Sequence, residues 1–114
     1  MNQLKIISKP WGYEKIWAYS NSENGYVGKI IHINKGCRLS LQKHINKEET
    51  IIVLSGELEL VLENKTLILK PQEYFHITPD TIHRFCSKGG SCTLIEISTK
   101  ELDDIIRIED DYGR

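Results

Sequence analysis

Gly36-Cys-Arg-Leu-Ser-Leu-Gln-Lys-His44-Ile-Asn46-Lys-Glu-Glu49-Thr-Ile-Ile-Val-Leu-Ser-Gly56 is the stretch that decides the fold. In an extended strand, residues two apart point the same way. Read as a strand, Arg38–His44 puts Ser40, Gln42 and His44 on one face, and Asn46 continues that face. Leu39, Leu41, Lys43 and Ile45 take the other, where a second layer or a partner must cover the apolar side chains. A face carrying Gln, His and Asn in a row does not suit a dry core, because buried polar groups need hydrogen-bond partners. It suits a polar pocket inside a barrel. Glu49 shares the inward face of the next strand, over Thr50–Leu54, with Ile51 and Val53. A carboxylate then stands beside an imidazole, above an apolar floor.

Outward from this stretch, short β-type runs follow one another. Tyr13–Tyr19 and Tyr26–Ile33 are parted by the turn cluster Ser20-Asn-Ser-Glu-Asn-Gly25. Glu57–Glu63 alternates, with Leu58, Leu60 and Leu62 on one face. Asn64-Lys65 links it to Thr66–Leu69 as a tight hairpin. Tyr74–Thr78, Ile82–Cys86 and Cys92–Ser98 follow, each set off by Pro, Asp or Gly. Lys100–Asp104 reads as a helical turn and Ile105–Glu109 as a last strand. Many short strands at even spacing, with no long helical pattern, predict an all-β sandwich or barrel. No linker or repeat divides the chain, so 1–114 is expected to form one domain.

With 39% hydrophobic and 27% charged residues, the chain is expected to fold rather than stay disordered. A net charge of −1 gives no general attraction to nucleic acid or to anionic membrane, and neither is expected as a partner. No run reaches the ~18 apolar residues of a membrane span. Nothing in MNQLKIISKPWG resembles a signal peptide. Three cysteines, Cys37, Cys86 and Cys92, without a CxxC pair, are expected to be reduced thiols in a cytoplasmic protein.

The second informative stretch is Glu73-Tyr-Phe-His76-Ile-Thr-Pro79-Asp-Thr-Ile-His83-Arg84-Phe85. His83 follows a proline-initiated turn and opens a strand. Imidazole and carboxylate together suit Zn(II), Fe(II), Mn(II) or Ni(II), with a position left open for water or substrate. His44, Glu49 and His83 are therefore the expected ligands, and Gln42 is a candidate fourth. Arg38 and Arg84 flank the ligands, and their forked donors suit a phosphate as well as a carboxylate. Trp11 and Tyr13 suit stacking on a sugar or anchoring of the N-terminal strand.

Gly36, His44, Glu49, Gly56, Pro79 and His83 resemble, in order, the paired motifs of the cupin superfamily. More narrowly, Lys9-Pro-Trp-Gly-Tyr-Glu14, Arg38-Leu-Ser-Leu-Gln42, Ile82-His-Arg84 and Asp104-Ile-Ile-Arg-Ile-Glu-Asp-Asp-Tyr-Gly-Arg114 resemble the C-terminal cupin domain of type II phosphomannose isomerases. The resemblance covers almost the whole chain. It implies a double-stranded β-helix, or jelly-roll, barrel, often paired as a homodimer. It implies one divalent metal, Zn(II) first, and interconversion of mannose 6-phosphate and fructose 6-phosphate. Arg38, Arg84 and Asn46 would hold the sugar phosphate. His76 and Lys43 are the candidates for the base, although Lys43 points away from the pocket in the simple strand reading.

The sequence also departs from the family pattern. Asn46 stands in place of the second metal histidine, Asp80 and Glu73 stand in place of glycines, and Cys86 replaces the final asparagine. Two other functions stay open at this point. One is a non-catalytic module that binds a sugar phosphate or nucleotide sugar, which Asn46 favours. The other is a small Fe(II) oxygenase, since two His and one carboxylate with open positions serve that chemistry.

Overall fold

Eleven strands follow one another, with no helix between them, in residues 3–114, the part of the chain that the computed structural model describes. They are β1 (Lys5–Lys9), β2 (Gly12–Ser20), β3 (Tyr26–Ile33), β4 (Leu41–Lys43), β5 (Glu49–Ser55), β6 (Leu58–Leu62), β7 (Thr66–Leu69), β8 (Tyr74–Ile77), β9 (His83–Cys86), β10 (Cys92–Thr99) and β11 (Ile106–Glu109). Two antiparallel sheets result. One has the order β1-β2-β3-β10-β5-β8 and the other β11-β4-β9-β6-β7. This is the two-sheet jelly-roll barrel expected from the sequence.

The strands pack by alternation. In β3, β5 and β10, every second residue turns inward and is buried. The registers Ile31↔Leu94↔Val53 and Lys29↔Glu96↔Ile51 then line up side chains across three neighbouring strands. One end of this inner face is apolar. Ile33, Ile31, Leu94 and Val53 meet Leu58, Leu60 and Phe85 of the second sheet there, and all are buried. Toward the other end, Lys29, Glu96, Glu49 and Ser98 interrupt the core with buried polar groups. That gradient leaves a cavity of about 370 Å³ open inside the barrel.

Turn chemistry closes the strands. Gly56 has a φ of 75°, and a Cβ there would collide with the Ser91 carbonyl oxygen, so only glycine fits. Asp80, at one of the family's glycine positions, adopts a φ of 64°. Asp tolerates this left-handed conformation better than most residues, and its amide donates to the His44 carbonyl at 2.7 Å. A hairpin forms here, with Leu60↔Leu67 and Val61↔Thr66 paired across it, but its two-residue turn is Glu63-Asn64 rather than Asn64-Lys65, because the Leu62 amide donates to the Lys65 carbonyl at 2.8 Å.

Three local expectations need correction. The strand expected over Arg38–His44 shrinks to Leu41–Lys43, with Arg38 bridging singly to Cys86. Leu39 therefore falls out of alternation and joins the core, 7% exposed, instead of lining the outer face. Second, Lys100–Asp104 is not a helical turn but a run of bends. Its polar groups are spent on other segments. Lys100 Nζ donates to the Ser22 carbonyl, and the Asp104 carboxylate accepts from the amides of Ile45, Asn46 and Lys47. Third, β1 is added to the expected strands. It pairs along its whole length with β2, from Lys5↔Ile16 to Lys9↔Gly12.

Candidate metal centre

His44, Glu49 and His83 meet at the polar end of the barrel. One donor atom from each lies within 4.8 Å of the others, and all three residues are buried. Glu49 Oε1 is 3.5 Å from His44 Nε2 and 3.2 Å from His83 Nε2. The far side of each ring is fixed by a backbone carbonyl. His44 Nδ1 donates to the Asp104 carbonyl at 2.6 Å and His83 Nδ1 to the Thr81 carbonyl at 2.8 Å. An Nδ1–H donor leaves Nε2 as the lone-pair nitrogen of the neutral ring, and both Nε2 atoms face Glu49. Two lone pairs aimed at a carboxylate call for a cation between them. His83 Nε2 and both Glu49 oxygens are buried without a hydrogen bond, which fits a divalent ion at this point. Metal-ligating histidines are held by this kind of partner on the second nitrogen.

Gln42 belongs to the same site. It is 6% exposed, lines the cavity, and sits opposite His83 across the β4–β9 ladder. Of the residues expected from sequence, His44, Glu49, His83 and Gln42 are thus brought together.

The others are not. Asn46 is exposed and lies outside the cavity lining. β4 ends at Lys43, so alternation does not carry to residue 46, and the Asn46 amide is instead tied to the Asp104 carboxylate at 2.7 Å. Lys43 stands on the opposite side of β4 from Gln42. His76 is on the outer face of β8, exposed, 2.7 Å from Glu48 and 3.3 Å from the Thr50 hydroxyl. Arg38 makes a two-pronged ion pair with Asp111, at 2.6 and 2.8 Å. Arg84 is buried on the outer side of β9, donating to the carbonyls of Leu39 and Glu109. Neither guanidinium lines the cavity. Trp11 is buried in the core and lines the cavity, while Tyr13 stacks on His32 at 5.1 Å.

The sequence reading missed a second buried group beside the triad. Lys47 Nζ lies 3.3 Å from Glu49 Oε2 and 3.0 Å from Glu96 Oε2. Burial, reinforced by the negative charge of Glu49, pushes the Glu96 carboxyl up to about 8. Burial works to raise the Glu49 carboxyl, but the close His44 and His83 rings and the charge of Lys47 outweigh it and hold Glu49 well below the usual carboxylate range. The carboxylates around Lys47 hold its ammonium above its ordinary value although burial pulls it down. The signal for Glu96 is that it is the single charged residue of β10, and it falls on the row of Cys92, Leu94 and Ser98 that turns inward. Lys47 carried none, since it follows a bend where strand periodicity no longer applies.

Comparison with known proteins agrees with this architecture. The model of the family "Mannose-6-phosphate isomerase C-terminal" matches residues 1–110. The alginate biosynthesis protein AlgA of Pseudomonas aeruginosa is 32% identical over 114 residues, covering 95% of this chain and 23% of AlgA. The chain therefore spans less than a quarter of that relative's length. Among solved structures, a cupin-2 domain from Rhodospirillum rubrum superimposes with a TM-score of 0.79 at 11% identity, over 91% of this chain and 74% of that one. A cupin-superfamily sugar phosphate isomerase from Silicibacter pomeroyi gives a TM-score of 0.60 at 20% identity, over 65% of this chain and 50% of that one. At these identities the two structures speak for the fold. The family match rests on the sequence over residues 1–110, and by it this cupin chain is a member of the mannose-6-phosphate isomerase C-terminal family.

Proposed function

We propose that the chain is a metal-dependent sugar-phosphate isomerase that interconverts mannose 6-phosphate and fructose 6-phosphate. The observation that supports it most is the His44–Glu49–His83 triad, with Gln42 beside it, in a cavity of small-molecule size within a chain of this family. Sites for small molecules occupy roughly 300–1,000 Å³, and this cavity has about 370 Å³. His44, Glu49 and His83 would hold one divalent ion, Zn(II) by preference for two nitrogens and a carboxylate oxygen. When bound, such an ion polarises the carbonyl and hydroxyl oxygens exchanged in an aldose–ketose isomerisation.

The remaining work falls to the protein. A proton must pass between C1 and C2 of the sugar. His76 and Lys43 are outside the cavity, so the pair Lys47 Nζ and Glu96 Oε2, 3.0 Å apart beside the triad, replaces them as the groups able to hold that proton. The apolar floor of Ile31, Leu39 and Phe85 excludes water from the reacting end. As part of the same reading, the chain pairs with a second copy through the outer face of the six-stranded sheet.

The test is to load the protein separately with Zn(II), Co(II), Mn(II) and Fe(II) and follow fructose 6-phosphate formed from mannose 6-phosphate. Metal-dependent turnover, abolished in His44→Ala, is the expected result. A second reading is a non-catalytic module for a sugar phosphate. It is favoured by the placement of both sequence-derived base candidates outside the cavity. Binding of mannose 6-phosphate by a folded, metal-loaded protein that shows no turnover would select it.

A further inference from the structure

Cations crowd the cavity, and half of them are matched by carboxylates. Lys29 pairs with Glu14 at 3.2 Å, Lys47 with Glu49 and Glu96, and Arg114 with Asp110 at 3.0 Å. Lys5, Lys9 and Arg107 line the same cavity, yet they form no ion pair among the described residues. Unmatched positive charges converging on one space repel each other, and an anion placed between them removes that cost.

Strand register fixes where these three residues stand. On β1, Lys5, Ile7 and Lys9 line the cavity, while Ile6 and Ser8 face away. On β11, Arg107 is opposite Gln42, and Gln42 is opposite His83 on β9. Directly opposed residues share a face of the sheet. Arg107 is therefore on the side of the triad, two strand spacings from His83, roughly 10 Å away. In the other sheet the row runs Lys5↔Ile16↔Lys29↔Glu96, ending beside Lys47. β1 and β11 are each an edge strand of their sheet. The three cations thus stand on the two edges that flank the cavity, with the triad deeper inside.

We propose that Lys5, Lys9 and Arg107 form an anion site at the mouth of the cavity, and that it holds the phosphate group of a phosphorylated sugar. The sugar part of this assignment rests on the isomerase reading. An open-chain 6-phosphate carries its phosphate at the end of the carbon chain away from the carbonyl. With the carbonyl end at the triad, the phosphate reaches the mouth. Arg107 offers a planar fork to two phosphate oxygens, and the two lysines add point charges. This assignment differs from the one drawn from sequence, since Arg38 and Arg84 are occupied by Asp111, Leu39 and Glu109.

Calorimetric titration of the metal-loaded full chain with mannose 6-phosphate, inorganic phosphate and mannose tests this. Mannose 6-phosphate is expected to bind, inorganic phosphate to compete with it, and mannose not to compete. Arg107→Gln and the double variant Lys5→Gln/Lys9→Gln should each weaken mannose 6-phosphate binding by roughly ten-fold or more. Lys65→Gln, which removes a remote surface charge, should not. Wild-type protein that binds neither phosphate compound overturns the site. So do cavity variants that are folded by circular dichroism yet bind like wild type. The turnover assay fails separately: binding that depends on these cations, without isomerisation, sinks the reaction and leaves the anion site. Isomerisation indifferent to all three cations sinks the anion site and leaves the reaction.

Discussion

A lysine ammonium buried between two carboxylates is stable only while its partners stay in place. Lys47 is in that position, with a side chain 8% exposed. Lys47→Met leaves Glu49 buried without its cation, and breaking a buried pair in this way costs about 3–5 kcal/mol. Urea unfolding of the chelated protein measures it. Glu96→Gln in the Lys47→Met background should return part of the loss, because the two side chains share one contact and their effects are coupled. Strictly additive losses would show that the pair does not interact. This cluster also marks the limit of what the sequence displays residue by residue. Strand periodicity correctly turns Gln42 inward because β4 exists there. It cannot place Asn46 or Lys47, because the chain bends after His44 and long-range bonds to Asp104 decide which of the two enters the barrel. Arg38 and Arg84 show the same limit: a guanidinium fork suits phosphate and carboxylate equally, and only the folded chain brings Asp111 and Glu109 to them.

Elements with strong alternation, such as Leu58–Leu62, are legible because one face must be buried for the sheet to pack. The segment 100–105 is not, since its conformation is set by contacts more than fifty residues distant in the chain. It acts as a strap. Asp104 gives its carbonyl to His44 Nδ1 and its carboxylate to three successive amides of the loop between β4 and β5. Those amides hold the Asp104 carboxyl below its ordinary value. The loop they fix carries His44 at one end and leads into Glu49 at the other. Asp104→Ala keeps the carbonyl but frees the loop, so the two ligands lose their set geometry. Zn(II) affinity, measured by competition with a chromogenic chelator, should fall by about 10–100-fold, the range for removing outer-shell support. Asp104→Asn, which retains one acceptor oxygen, should fall less. Unchanged affinity in Asp104→Ala would show that the triad is rigid without the strap.

At the scale of the whole molecule, the barrel hides one face of the six-stranded sheet and leaves the other bare. Register sets Ile6, Lys15, Ile30, Ile95, Ile52 and Tyr74 in one row across all six strands of the outer face. Beside this row, Ile97 is 46% exposed and Trp17 is 49% exposed. Trp17 lies over Gly28, where a Cβ would come within 2.8 Å of the indole. With central strands of eight residues, six strands make a face of roughly 24 × 26 Å. That is on the order of the ~800 Å² that each partner buries in a stable pair. In the proposed dimer, a two-fold axis through this face would set the row against its own copy, apolar against apolar, as the self-complementary contact of a closed pair requires. Ile6 of β1 would join such a contact through the outer face, while the cavity-facing Lys5, Lys9 and Arg107 would stay free, so the dimer and the anion site are compatible. Ile97→Glu puts a charge near the middle of the patch at a position that is half exposed in the single chain, so the fold should tolerate it. Sedimentation velocity should then report a dimer for the wild type and a monomer for Ile97→Glu, with the same circular dichroism spectrum. A wild type that sediments as a monomer would end the dimer proposal. A dimer that survives Ile97→Glu would place the contact on another face.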